Sequence, residues 1–128
     1  MKHKDTPVYK DAFELAIKLH KISTKFPAIE RFELGSQLRR AGFSVPLNIA
    51  EGFGRSNKKE SMYFLRIARG SVSEVSVLVD AAERLGYICI EQRDETQSEL
   101  KNLNVQLNNV LRSLGKTEAP GAIAQSAL

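Results

Sequence analysis

Apolar residues recur at spacings of three and four along most of the chain, in four segments parted by short breaks, and that period admits helices and little else. From Tyr9 to Phe26 the apolar positions are Ala12, Leu15, Ala16, Leu19, Ile22 and Phe26, with Lys18, Lys21 and Lys25 off the stripe. Pro27 closes this segment because its ring cannot continue the hydrogen-bond ladder, and a short Pro-Ala-Ile-Glu connection follows. A second helix is predicted from about Phe32 to Phe53, carrying Leu34, Leu38, Ala41, Val45 and Ile49, with Gly52 and Gly54 marking its end. Pro46 lies in its interior and predicts a kink rather than a break, since the apolar period continues across it.

Asn57-Lys58-Lys59-Glu60 has the form of an N-cap with an acid three residues on, opening a third helix that lasts to about Leu85 and stops at Gly86. Its stripe is Phe64, Ile67, Ala68, Val75, Leu78, Ala82 and Leu85. The β-branched run Val72 to Val79 sits inside this longer helical period and is read as helix. The fourth helix begins near Glu91 and spaces Leu100, Leu103, Leu107, Val110 and Leu114 in a seven-residue pattern closed by Gly115. Short links make successive helices antiparallel neighbours. The expected fold is therefore all-α, an antiparallel up-down-up-down four-helix bundle in one domain over residues 1–115. Residues 116–128, with Pro120, Gly121 and small side chains, read as a disordered tail.

A chain of 128 residues can bury one core without disulfides or metals. The lone cysteine, Cys89, excludes an internal disulfide and a multi-cysteine zinc site and points to a reducing cytoplasm. No apolar run approaches the ~20 residues that span a bilayer, and the charged N-terminus leads into no signal-type stretch; no membrane partner is expected. His3 and His20 lack metal-ligand spacing. Ser44, Ser71 and Cys89 have no base beside them in sequence, and Gly52-Phe53-Gly54-Arg55 is neither a P-loop nor a dinucleotide fingerprint. Neither catalysis nor a cofactor is expected.

The placement of charge is more informative than its total. Arg31 to Gly70 holds eight Lys or Arg against three acids, whereas Ser71 to Leu128 holds five against eight. A basic segment is either a footprint for a polyanion or a solvated face. On the second helix, Gln37, Arg40, Ser44, Asn48, Glu51 and Arg55 share a stripe about 80° wide. One reading joins Gln37, Arg40, Asn48 and Glu51, with Glu74 of the third helix, in a structural polar network, since a carboxylate between guanidinium groups is well matched. The other makes Arg40 and Arg55 phosphate contacts. Phe43, Leu47 and Ala50 form a second apolar face on the same helix, suited to contact with another subunit. On the third helix Lys58, Lys59, Arg66 and Arg69 fall within about 100° of one another, with Tyr63 beside them, and such a stripe can track a phosphate backbone.

The run Gln37 to Glu74, QLRRAGFSVPLNIAEGFGRSNKKESMYFLRIARGSVSE, resembles the signature of small four-helix-bundle proteins encoded in intervening sequences of bacterial 23S rRNA genes, the S23-type proteins. The diagnostic pieces are Gln37-Leu38-Arg39-Arg40-Ala41, Asn48-Ile49-Ala50-Glu51-Gly52 with Arg55, and Ala68-Arg69-Gly70-Ser71 with Glu74. Weaker agreement runs from Val8 to about Gly115; Tyr9 stands where the family often has tryptophan. The resemblance implies a homopentameric ring without enzymatic activity and with affinity for RNA or DNA. The family is also similar to the accessory variability proteins of diversity-generating retroelements, which bind nucleic acid and a reverse transcriptase. The expected function is thus an oligomeric protein that binds nucleic acid through Lys58, Lys59, Arg66 and Arg69, joined by Arg39 and Arg55. The alternative is a structural or protein-interaction scaffold, such as an accessory subunit of a nucleic-acid enzyme.

Overall fold

The computed structural model describes residues 1–116; the tail expected over 116–128 lies outside them from residue 117 on. Four long helices carry the described chain, and no strand occurs among the described residues. They are α1 (Pro7–Ser23), α2 (Leu34–Phe53), α3 (Lys58–Arg84) and α4 (Ile90–Gly115).

Local chemistry sets most of the boundaries. Thr6 caps α1 by accepting the Tyr9 N–H at 3.3 Å, and Pro7 occupies the first turn, where its missing N–H costs nothing. Asn57 caps α3 in the same way, through the Glu60 N–H at 3.2 Å. Gly86, at φ 82°, ends α3: its N–H reaches the Glu83 carbonyl at 2.9 Å while that of Tyr87 reaches Ala82 at 2.8 Å. This paired closure needs the left-handed backbone that glycine adopts without strain.

Two boundaries differ from the sequence reading. α1 stops at Ser23, short of Pro27, and α2 starts at Leu34 rather than near Phe32. Between them the chain turns so that the Phe26 ring is buried, makes one separate helical turn at Ala28–Arg31, and breaks at Glu33 with φ −108° and ψ −96°. Pro46 lies within α2 without ending it.

One apolar core joins all four helices: Leu15 and Leu19 of α1, Leu38, Val45 and Ile49 of α2, Leu65, Val75 and Val79 of α3, and Leu100, Leu103, Leu107 and Leu114 of α4. Of the heptad positions read on α4, Val110 is only partly buried, and Leu111 reaches the core beside it. α2 and α3 pack closely at Gly52, where a Cβ would meet Leu65 Cγ at 3.0 Å and the Ser61 carbonyl at 3.2 Å. α1 and α4 are bridged by long polar side chains: Lys18 pairs with Glu95 at 3.0 Å and with Glu99, and Gln106 donates to Asp11 at 2.8 Å. No helix among the described residues is long and apolar enough to cross a membrane.

Candidate nucleic-acid interface

The turn from α2 into α3 fixes the start of the basic strip. Arg55 bridges the two helices, donating to Glu51 Oε2 at 2.7 Å while its guanidinium lies 4.7 Å from the Phe64 ring centroid. Below it, the Ser61 hydroxyl donates to the Arg55 carbonyl at 3.3 Å. These contacts set the rotation of α3 about its axis, and with it the direction of the residues that follow.

Along the outer side of α3, Lys59, Tyr63 and Arg66 recur at helical spacing and all three are exposed, Tyr63 at 59%. Neither Lys59 nor Arg66 has a hydrogen bond or ion pair among the described residues. The Tyr63 ring stands edge-on to Phe64 with centroids 5.3 Å apart, which holds it upright beside the two cations. Cations flanking an exposed aromatic can hold phosphates and stack a base. Lys58, at the head of the helix, is partly buried.

Two other basic residues singled out from the sequence, Arg69 and Arg39, have work inside the fold. Arg69 is partly buried and donates to Asn108 Oδ1 of α4 at 3.0 Å. Arg39 is also partly buried, donating to Ser23 Oγ at 2.9 Å and to the Arg31 carbonyl at 2.8 Å. It ties the end of α1 and the following turn to α2. Sequence reasoning did not find this role, because nothing in the spacing of Ser23 and Arg39 signals their meeting.

The polar set on α2 divides into separate groups. Asn48 donates to the Ser44 carbonyl and hydroxyl at 2.8 and 3.0 Å, and Ser44 Oγ lies 2.8 Å from Ser71 Oγ across the α2/α3 seam. Among the described residues Glu51 pairs with Arg55 alone. Gln37, Arg40 and Glu74 are exposed, without a hydrogen bond or ion pair among the described residues. Glu74 precedes the fully buried Val75, and one residue of helix turns it out to solvent. The structure therefore does not draw Gln37, Arg40, Asn48, Glu51 and Glu74 into one network.

The second face of α2 is open at Leu47 and partly covered on either side of it. Leu47 is 64% exposed; Phe43 and Ala50 are partly buried, the Phe43 ring lying 6.3 Å from that of His20 on α1. On α3, Gly70 lies mid-helix with nothing within 4 Å of where a Cβ would stand. Among the described residues no group of three or more His, Cys, Asp or Glu is arranged to hold a metal ion.

A family model described as 23S rRNA-intervening sequence protein matches residues 4–109. A search of curated proteins found no match. Among solved structures, the chain is similar to a protein of unknown function from the S23 ribosomal protein family of Bacteroides thetaiotaomicron, with a TM-score of 0.78 and 21% identity. That likeness covers 88% of this chain and 99% of the other, and it bears on the fold.

Proposed function

The chain belongs to the 23S rRNA-intervening sequence protein family, and we propose from that premise that it is a non-catalytic, cytoplasmic, oligomeric bundle that binds RNA or DNA. The observation that carries this reading is the strip Lys59–Tyr63–Arg66, two cations without partners among the described residues on either side of an exposed aromatic ring. Arg55 and Lys58 extend the strip at the helix start, while Arg39 and Arg69 serve chiefly to hold helices together. Affinity of this kind is salt-dependent and mostly independent of sequence. Titrating labelled RNA and DNA, single- and double-stranded, at several salt concentrations tests it. Binding that weakens steeply with salt supports the proposal, and absence of binding at low salt removes it.

The helices run antiparallel in this proposal, up-down-up-down, supported by the seam in which Gly52 meets Ser61 and Leu65 while Ser44 meets Ser71. Copies assemble through Phe43, Leu47 and Ala50 into a ring, a homopentamer as expected for the family. The exposed Leu47 supports this, and so does Gly70, whose open space would let a neighbouring backbone come close. Leu47→Glu is expected to lower the particle mass while leaving helix content intact.

The same exposed face favours a second reading, a scaffold or accessory subunit for a nucleic-acid enzyme of reverse-transcriptase type. Stoichiometric recovery of one protein after nuclease treatment, lost in Leu47→Glu, would favour that reading over direct binding.

A further inference from the structure

Three lysines off the apolar stripe of α1, Lys18, Lys21 and Lys25, follow Glu14 at spacings of four, three and four, so all four side chains share one side of that helix and the turn that ends it. Tyr87, Ile88 and Gln92, from the link after α3 and the first turn of α4, form the opposite wall of a cleft of about 380 Å³. Its size falls within the ~300–1,000 Å³ of small-molecule sites. The cleft is built by α1 and α4, apart from the Leu47 face on α2 and the Lys59–Arg66 strip on α3.

Charge is divided unevenly along the cleft. Lys18 is committed to α4, pairing with Glu95 at 3.0 Å and with Glu99, one helical turn after Glu14. Lys21 and Lys25, further along, are exposed, and neither ammonium has a hydrogen bond or ion pair among the described residues. The wall opposite contributes no carboxylate to the lining. Glu30, the acid attached to Tyr87, is engaged by the Tyr87 hydroxyl at 2.8 Å. Gln92 accepts the Cys89 N–H at 3.0 Å through its Oε1, which leaves its NH₂ group without a partner among the described residues. The cleft also takes aliphatic surface from both walls: Ile17 and Ile22 of α1, partly buried, and Ile88 of the link.

We propose that this cleft binds a small amphipathic anion, a carboxylate or phosphate carried on a short alkyl chain. The head lies at Lys21 and Lys25, and the chain lies against Ile17, Ile22 and Ile88. An inorganic anion would leave the isoleucines in water, and a neutral or cationic amphiphile would leave two ammonium groups unanswered or repelled. Lysine acts as a point charge toward either acidic head, so the two lysines fix the sign of the head and the isoleucines fix the nature of the body.

Calorimetric titration of the full chain with octanoate, octyl phosphate, octanol and octylamine tests this, with isoleucine methyl resonances followed by NMR. One equivalent of octanoate or octyl phosphate should bind per chain and shift the methyls of Ile17, Ile22 and Ile88 while those of Ile49 and Ile67 hold. The tighter of the two anions identifies the head. Octanol and octylamine should bind about tenfold or more weakly. Lys21→Gln/Lys25→Gln, both exposed positions, should cost the anions about tenfold or more and leave octanol unchanged, with helix content intact by circular dichroism. Lys21→Arg/Lys25→Arg should restore anion binding. Absence of saturable binding by either anion, equal binding of octylamine, or shifts confined to other isoleucines overturns the proposal. An affinity for the anions unaltered in Lys21→Gln/Lys25→Gln does so too. Weaker binding of duplex DNA by that variant, with neither anion bound by the wild type, would overturn it and give the two lysines to nucleic acid.

Discussion

Arg39 of α2 donates to the hydroxyl of Ser23, the last residue of α1, at 2.9 Å, and Ser23 is wholly buried. Its other terminal nitrogen holds the Arg31 carbonyl, so one guanidinium fastens the α1–α2 connection at two points. A residue that looks from sequence like part of a basic surface is thereby a clasp of the fold.

Arg39→Ala should therefore destabilise the protein by about 1–3 kcal/mol, the range for losing a charged hydrogen bond to a buried partner. Urea titration followed by circular dichroism measures this. An equal stability for the variant would show that the clasp contributes nothing.

Gly70 separates chain stability from assembly. With nothing within 4 Å of its missing Cβ, Gly70→Ala should stabilise an isolated chain by roughly 0.5–1 kcal/mol through helix propensity. If another copy approaches there, the larger Gly70→Leu should lower the assembled mass while the helix content holds. Light scattering with Gly70→Leu at unchanged mass would place the subunit contact elsewhere.

The α1/α4 bridge gives stability an alkaline limit. Burial works against the Lys18 charge, but hydrogen bonds and charge attraction from Glu99 and Glu95 outweigh it and raise the pKa above the ordinary 10.5. A raised lysine contributes stability fully below 10.5 and loses it as pH rises through the folded value. The Tyr87 hydroxyl, also raised by its bond to Glu30, acts in the same direction. The urea midpoint should fall above pH 10.5, and fall less in Lys18→Met, which keeps only the tyrosine contribution.

Thr96 presents the opposite case, a polar group whose removal helps. The residue is 1% exposed, and among the described residues its hydroxyl oxygen has no hydrogen-bond partner. Thr96→Val keeps the branched shape and deletes the unsatisfied hydroxyl, so it should stabilise by about 1 kcal/mol. A lower melting temperature would mean that the hydroxyl finds a partner in solution.

The long helices and most of their core positions were legible because burial repeats with the helical period, as at Leu38, Val45 and Ile49 or Leu100, Leu103 and Leu107. Caps were legible where one side chain closes its own turn, as at Asn57. What the helical wheel lacks is the neighbour. It gives no sign that Arg39, Arg55, Lys59, Arg66 and Arg69 differ, whereas Ser23, Glu51 and Asn108 engage three of them and, among the described residues, Lys59 and Arg66 are left without partners. The separate turn at Ala28–Arg31 and its bond to Tyr87 depend on chain reversal and escape any periodic signal.

The strip on α3 is tested most directly by the slope of log K against log salt for a DNA duplex, measured for the wild type and for Lys59→Gln/Arg66→Gln. Each phosphate contact contributes about 0.9 to that slope. The account predicts salt-sensitive binding by the wild type and a slope shallower by about 1.8 in the variant, with circular dichroism unchanged. A wild type that does not bind at low salt, or a variant with the same affinity and slope, would contradict it.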